Sequence, residues 1–102
     1  MNKKKINIKN ILWDDWNIAH IGRHDVLPNE VEEVCAGNRI EREAYRQRIF
    51  LVGTTQAGRI LTVILEPREE RGIYRPITAY DASKRSINAY QEENKRGGEE
   101  AA

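Results

Sequence analysis

The chain has 102 residues, of which 39% are hydrophobic and 32% are charged, and its formal net charge is +1. This length fits one domain with a modest core and is too short for two. The near-zero net charge excludes a general electrostatic attraction to nucleic acid, so any anion binding has to come from a local cluster of cations.

The composition also predicts where the protein acts. No apolar run approaches the roughly 18 residues of a membrane span, and the basic start MNKKKINIKN lacks the apolar segment of a secretory signal. The single cysteine, Cys35, excludes an internal disulfide and fits a reducing compartment. We therefore predict a cytoplasmic protein with one domain over residues 1–96 and a flexible tail over residues 97–102.

Two helices are predicted in the first third of the chain. Asp14 or Asp15 can cap a helix that runs to about His24. Pro28 suits the first turn of a second helix, and Gly37 is placed to end it. The two tryptophans near the first helix are interpreted as anchors in the core, because a small domain needs their buried area. At about 100° per residue, one face of that helix carries Trp13, Trp16, Asn17, His20 and His24.

The second half of the chain predicts strands. Residues 48–52 and 59–65 flank the turn TTQAG, and the second run is almost wholly apolar, as in a central strand covered on both faces. Residues 73–80 form a third strand, in which Pro76 indicates an edge position or a bulge, and residues 10–13 add a short strand. The predicted fold class is α+β, with an antiparallel sheet of three to four strands, two N-terminal helices and one C-terminal helix.

The junction between the last strand and the last helix, YDASKR, concentrates polar chemistry. Ser83 can cap the helix, whose first-turn amides and dipole favour an anion. Lys84 and Arg85 oppose that dipole, a small penalty that a bound phosphate would offset. The alternative is a capped surface helix with two long cations. Further cations could line the same anion-binding groove or form a solvated face; they are Arg42, Arg46, Arg48 and Arg59.

A zinc site in the first helix is a further possibility that the residues leave open. His20 and His24 are four apart on a helix, a spacing at which two imidazoles can share zinc, but Ile21 takes the place of the glutamate of metalloproteases. The alternative is structural: His24 bonds a carbonyl at the helix end, and His20 packs beside Trp16. Cys35 is interpreted as a small buried hydrophobe. We predict no metal and no cofactor.

Three stretches, in this order, resemble the BrnT family of toxins from bacterial toxin–antitoxin pairs. WDDWNIAHIGRHDV (13–26) is similar to the family's opening of W-D, an asparagine and K/R-H-G-V, followed by a helix that ends V-x-x-V. Residues 49–65 resemble its I-G-x-T…G-R-x-L-x-V-V hairpin, and ITAYDASKR (77–85) resembles its I-S-A-R-x-A-S-x-x-E-R segment. Together the matches cover nearly all of residues 11–92.

The resemblance implies a RelE-like fold, metal-independent cleavage of RNA, and a cognate antitoxin of the ribbon-helix-helix type that covers the active surface. In such cleavage a base removes the ribose 2′-hydroxyl proton, cations stabilise the crowded phosphate, and an acid protonates the leaving oxygen. His24 and Tyr80 would transfer the protons. The complete set of candidate catalytic residues is His24, Arg59, Tyr80, Lys84 and Arg85.

The chain departs from the BrnT pattern in the segment that should carry the site. Tyr80 stands where the family has an arginine, and Ser86 and Ile87 stand where it has the E-R pair. Asp25 replaces the glycine after the family histidine. A tyrosine can donate a proton and stack on a base. The alternative interpretation is a catalytically degenerate relative that binds protein or RNA without cleaving it.

Overall fold

A computed structural model of the chain describes residues 6–101, with side chains over residues 6–95. A short 3₁₀ turn, Tyr45–Gln47, lies between the second and third strands. None of the helices in the described range is long and apolar enough to cross a membrane. In chain order the elements are β1 (Asn10–Ile11), α1 (Asp15–Gly22), α2 (Pro28–Ala36), β2 (Arg39–Glu43), β3 (Ile49–Thr54), β4 (Ile60–Pro67), β5 (Ile73–Asp81) and α3 (Lys84–Ala101).

The α+β class and the three helices are confirmed, but the predicted sheet is wrong in two respects. It has five strands in the order β1-β5-β4-β3-β2, and β1 runs parallel to β5 while the other pairs are antiparallel. The segment Arg39–Glu43, for which no strand was predicted from the sequence, forms β2. This strand is charged because it lies at the sheet edge, where charged side chains discourage pairing with another chain.

The core lies between one face of the sheet and helices α1 and α2. Leu51, Val63 and Ala79 are neighbours across three strands and are fully buried. Val31 of α2 packs in the same cluster. Cys35 joins it as a buried thiol, as predicted, and burial raises its pKa to about 12 because the opposing effect of Arg39 is smaller. Strand β4 is central, also as predicted.

Strand β5 contains a β-bulge that is hydrogen-bonded to α1. Ile64 pairs with Thr78, whereas Leu65 pairs with Pro76, so Ile77 is the extra residue. The carbonyl oxygen of Pro76 accepts a hydrogen bond from the Asn17 amide at 3.2 Å. The same amide nitrogen donates to the Leu12 carbonyl, so the fully buried Asn17 ties α1 to the bulge. Pro76 indicated an edge position or a bulge, and the structure has the bulge.

The interpretation of both tryptophans as core anchors is wrong for Trp16, which is 54% exposed. Asn17 and Ile21 occupy the inward face of α1, and the 100° step per residue turns Trp16 away from it. Trp13 packs partly buried against the core, and its indole nitrogen donates to Glu32 at 2.8 Å.

Helix α3 covers part of the other face of the sheet and contacts β2 and β3. The Ser83 hydroxyl oxygen accepts a hydrogen bond from the Ser86 amide at 3.1 Å, which confirms the predicted cap. Tyr90 anchors the helix: it is buried, and its hydroxyl accepts from Thr54 and donates to the Asn38 carbonyl. The backbone of 97–101 continues the helix, and the flexibility predicted for 97–102 stays a prediction.

Candidate functional site

A groove of about 650 Å³ lies between the sheet and the first turns of α3. The strand register builds its floor, because Ile40, Val52, Thr62 and Tyr80 stand side by side across β2, β3, β4 and β5. Side chains alternate along a strand, so this row faces away from the core. The remaining lining residues, from the next row and from α3, are Arg42, Phe50, Ser83, Arg85, Ser86 and Ala89.

The charge of the groove is positive, and no carboxylate of the described residues pairs with it. Its two charged lining residues are Arg42 and Arg85, and no carboxylate lines the described part of it. Neither arginine forms an ion pair with another described residue, whereas Arg59 and Arg75 each contact two acidic side chains. Two unpaired guanidinium groups above an apolar floor form a site for an anion that also carries a flat or apolar group.

Tyr80, which lines this groove, contacts His24. Their rings contact edge to face, with centroids 5.9 Å apart and planes at 63°. His24 is exposed, follows the last turn of α1 and touches the Tyr80 ring, but it does not itself line the groove. His20 stacks on Trp16 at 4.7 Å, which confirms their predicted packing. Of the five candidate catalytic residues, Tyr80 and Arg85 line the groove, and His24 contacts the Tyr80 ring.

Arg59 is engaged by the protein itself. Its Nε donates to Asp81 at 2.8 Å, and its two terminal nitrogens donate to the carbonyl oxygens of Asp25 and His24 at 2.6 and 3.2 Å. A further contact reaches Glu30. The bond to Asp81 is the main cause that raises the pKa of Arg59, and it lowers the pKa of Asp81 in turn. The geometry favours a positioning role for Arg59, which holds the segment that carries His24, over phosphate binding.

We expect Arg59→Met to lower the free energy of unfolding by about 2 kcal/mol and the Tm by about 10 °C. The substitution leaves two loop carbonyls and the Asp81 carboxylate without their donor, and it removes one of the donors to Glu30. Urea and thermal unfolding followed by circular dichroism measure the change. The matched control is Arg68→Met, because Arg68 makes one half-exposed pair with Glu66 and should cost at most about 0.5 kcal/mol. Equal losses in the two variants would contradict the role of Arg59.

The difference in unfolding free energy between the parent protein and Arg59→Met should also depend on pH, because Arg59 pairs with Asp81. The folded pKa of Asp81 lies below its ordinary value of 3.8, so the folded state binds fewer protons than the unfolded state. Its contribution is therefore complete above pH 3.8 and is lost as the pH falls through the folded pKa. The stability gap between the parent protein and Arg59→Met should narrow in that acidic range. Asp81 is largely exposed, so this part of the gap is small.

The remaining candidate cations lie elsewhere. Lys84 is exposed at the start of α3 and does not line the groove. Arg46 lies in the 3₁₀ turn with φ of 62° and stands over the Tyr45 ring, and Arg48 precedes β3. Of the four arginines that could have lined a groove with Arg85, the fold brings only Arg42 there within the described residues. Its position in the groove could not be predicted, because no strand was predicted at β2.

Sequence reasoning missed the floor of the groove. Phe50, Val52 and Thr62 were interpreted only as strand residues, and Ser86 only as a departure from a pattern. Their alternation with core residues was the available signal, since every second residue of a strand faces away from the helices on the core side. In the described part of the chain, no group of three or more His, Cys, Asp or Glu residues is arranged to hold a metal ion.

The comparisons with known proteins add no homologue to this geometry. No protein-family model matches the chain, and no curated protein is significantly similar to it in sequence. The chemistry available at the groove is therefore read from its side chains. It comprises two cations for an anion, an imidazole and a phenol for proton transfer, and an apolar floor.

Proposed function

We propose that this chain is a metal-independent ribonuclease that acts as the toxin component of a BrnT-like type II toxin–antitoxin pair. The observation that carries the proposal is the groove that Tyr80 lines together with two arginines that no described carboxylate pairs, and the contact of Tyr80 with His24. Cleavage of RNA through its 2′-hydroxyl needs a base, an acid and cations around one phosphate. This groove supplies each of these from the chain's own residues.

The proposed reaction moves two protons and exchanges one bond at phosphorus. His24 takes the proton of the ribose 2′-hydroxyl, and the 2′-oxygen forms a bond to the adjacent phosphorus. The bond from phosphorus to the 5′-oxygen breaks, and Tyr80 donates its phenolic proton to that oxygen. The products are a 2′,3′-cyclic phosphate and a 5′-hydroxyl, and solvent then returns a proton to Tyr80 and removes one from His24. Arg42 and Arg85 stabilise the crowded, negatively charged phosphate in the transition state.

The backbone at Asp25 supports the likeness to the BrnT pattern. Asp25 has φ of 58°, in the left-handed region that favours glycine, and glycine is the residue of that pattern at this position. Aspartate is among the residues that tolerate this conformation. The chain therefore departs from the pattern in a way that the same turn can accommodate, and His24 keeps its place before the turn.

A second candidate function is binding without cleavage, by a degenerate relative that serves as an RNA-binding or protein-interaction module. Its supporting observation is the state of Arg59, whose donors already meet internal acceptors, so that fewer cations face the groove. Incubating purified protein with labelled single-stranded RNA in excess EDTA separates the two candidates. We expect cleavage to persist in EDTA and to leave cyclic phosphate ends. RNA that stays intact while binding the protein would contradict the ribonuclease proposal.

The toxin role has an independent test in cells. Expression of the chain in the bacterial cytoplasm should arrest growth, and co-expression of the protein encoded by the neighbouring gene, a ribbon-helix-helix antitoxin in this proposal, should relieve the arrest. The variant with both Arg42→Ala and Arg85→Ala is the matched control, because it removes the groove cations and should not arrest growth. Arrest that persists with this variant would place the toxicity outside the groove.

A further inference from the structure

We propose that the groove selects one nucleobase of single-stranded RNA and that the hydroxyl of Thr62 reads this base. This inference rests on the proposed function and deepens it, because it assigns a specificity-determining residue and a substrate class to the same groove. The base would lie on the floor beside the Tyr80 ring, and its flanking phosphates would meet Arg42 and Arg85 at the lining.

The state of the Thr62 hydroxyl is the first observation. Thr62 is only 4% exposed, and no hydrogen bond between described residues involves its hydroxyl. Among the described residues no fully buried side-chain oxygen or nitrogen lacks a partner. The Thr62 oxygen is therefore reached from the groove, which the residue lines. Valine would fill this buried strand position equally well. The accessible hydroxyl of threonine can therefore bond the polar edge of a ligand in the groove.

The neighbours of Thr62 define what that ligand is. Val52 stands on one side of it and Tyr80 on the other in the same row, so the hydroxyl is a single polar point on an apolar and aromatic surface. A nucleobase has the matching shape, with flat faces for apolar contact and polar atoms at its edge. A duplex hides those edges in its pairs, so the substrate is an unpaired strand.

The cations of the groove stand on two different elements. Arg42 lies on β2 and Arg85 on α3, so positive charge comes from two elements that border the floor. Phosphate contacts position a strand without reading its sequence, whereas contacts to a base edge specify it. The geometry therefore separates the two tasks: the arginines supply affinity for any strand, and Thr62 supplies the preference among bases.

The experiment measures binding of fluorescent single-stranded 2′-O-methyl hexamers, which cannot be cleaved through the 2′-oxygen. Oligomers of uridine, cytidine and adenosine are compared with an abasic hexamer by fluorescence anisotropy. We expect the parent protein to prefer one base, and Thr62→Val to reduce that preference about three- to tenfold, as loss of one hydrogen bond implies. Binding of the abasic hexamer should not change. Valine matches threonine in shape and in preference for strands, so the variant should fold.

The matched control is Thr78→Val. Thr78 lies on the same face of the sheet, two residues before Tyr80, and does not line the groove, so its loss of a hydroxyl should leave the preference unchanged. Equal binding of all hexamers by the parent protein, no binding at all, or equal effects of the two variants would overturn the inference. If the base preference depends on Thr62 but the protein does not cleave RNA, the ribonuclease proposal is wrong and this inference stands. If the protein cleaves RNA but its base preference is the same in Thr62→Val, this inference is wrong and the ribonuclease proposal stands.

Discussion

Replacing Tyr80 with phenylalanine is expected to lower the rate of RNA cleavage by about 100-fold or more, the usual contribution of a positioned proton donor. The substitution removes one hydroxyl and keeps the ring that contacts His24 and borders the groove floor. Affinity for RNA should therefore stay the same while the chemical step slows. Single-turnover cleavage with saturating protein isolates that step from binding.

Tyr45→Phe is the control for this experiment. Tyr45 is 81% exposed in the turn between β2 and β3, so removal of its hydroxyl should change neither rate nor affinity. An unchanged cleavage rate in Tyr80→Phe would show that another group protonates the leaving oxygen. A loss of affinity equal to the loss of rate would mean that the hydroxyl binds the substrate and takes no part in the chemical step.

The double substitution Arg42→Ala and Arg85→Ala is expected to weaken RNA binding by about 100-fold, because each guanidinium makes charge-assisted bonds to phosphate. The salt dependence gives a second readout. Each phosphate contact to a single strand contributes about 0.7 to the slope of log affinity against log salt, so the slope should fall by about 1.4. Anisotropy titrations with uncleavable hexamers at several salt concentrations measure both quantities.

A double variant needs a control for lost positive charge in general. Lys95→Ala removes an exposed cation far along α3, and we expect it to change the affinity and the slope much less. Lys84→Ala tests the remaining candidate of the predicted site, since Lys84 is next to Arg85 in sequence but does not line the groove. If Lys84→Ala or Lys95→Ala weakens binding as much as Arg85→Ala alone, the groove is not the phosphate site.

Local signals in the sequence predicted most of the elements. The cap at Ser83, the proline at the start of α2 and the apolar run of β4 each act through their own backbone or burial, so each could be recognised without a tertiary structure. Strand β2 could not. Its sequence RIERE has one apolar residue, and pairing with β3 makes it a strand.

In the candidate site, too, residues close in sequence could be predicted together, whereas contacts between distant residues could not. Tyr80 and Arg85 lie at one strand-to-helix junction, so the chain order brought them together in the prediction. The contact of His24 with Tyr80 spans 56 residues of sequence and depends on how α1 docks beside β5. Arg59 shows the limit most clearly. An arginine's charge predicts an anionic partner, and only the fold reveals that the partners are Asp81, Glu30 and two loop carbonyls.

The bulge at Ile77 has a consequence for comparing this chain with relatives. If the pairing of Pro76 with Leu65 continued along β5 without a bulge, Tyr80 would pair with Leu61 in place of Thr62, and the phenol would point into the core. The chemistry of this strand therefore depends on the number of residues as well as on their identity. A relative with the same number of residues in β5 but no bulge would keep the sequence pattern and turn its tyrosine into the core, whereas a relative that lacks both the bulge and its extra residue would keep the tyrosine in the groove.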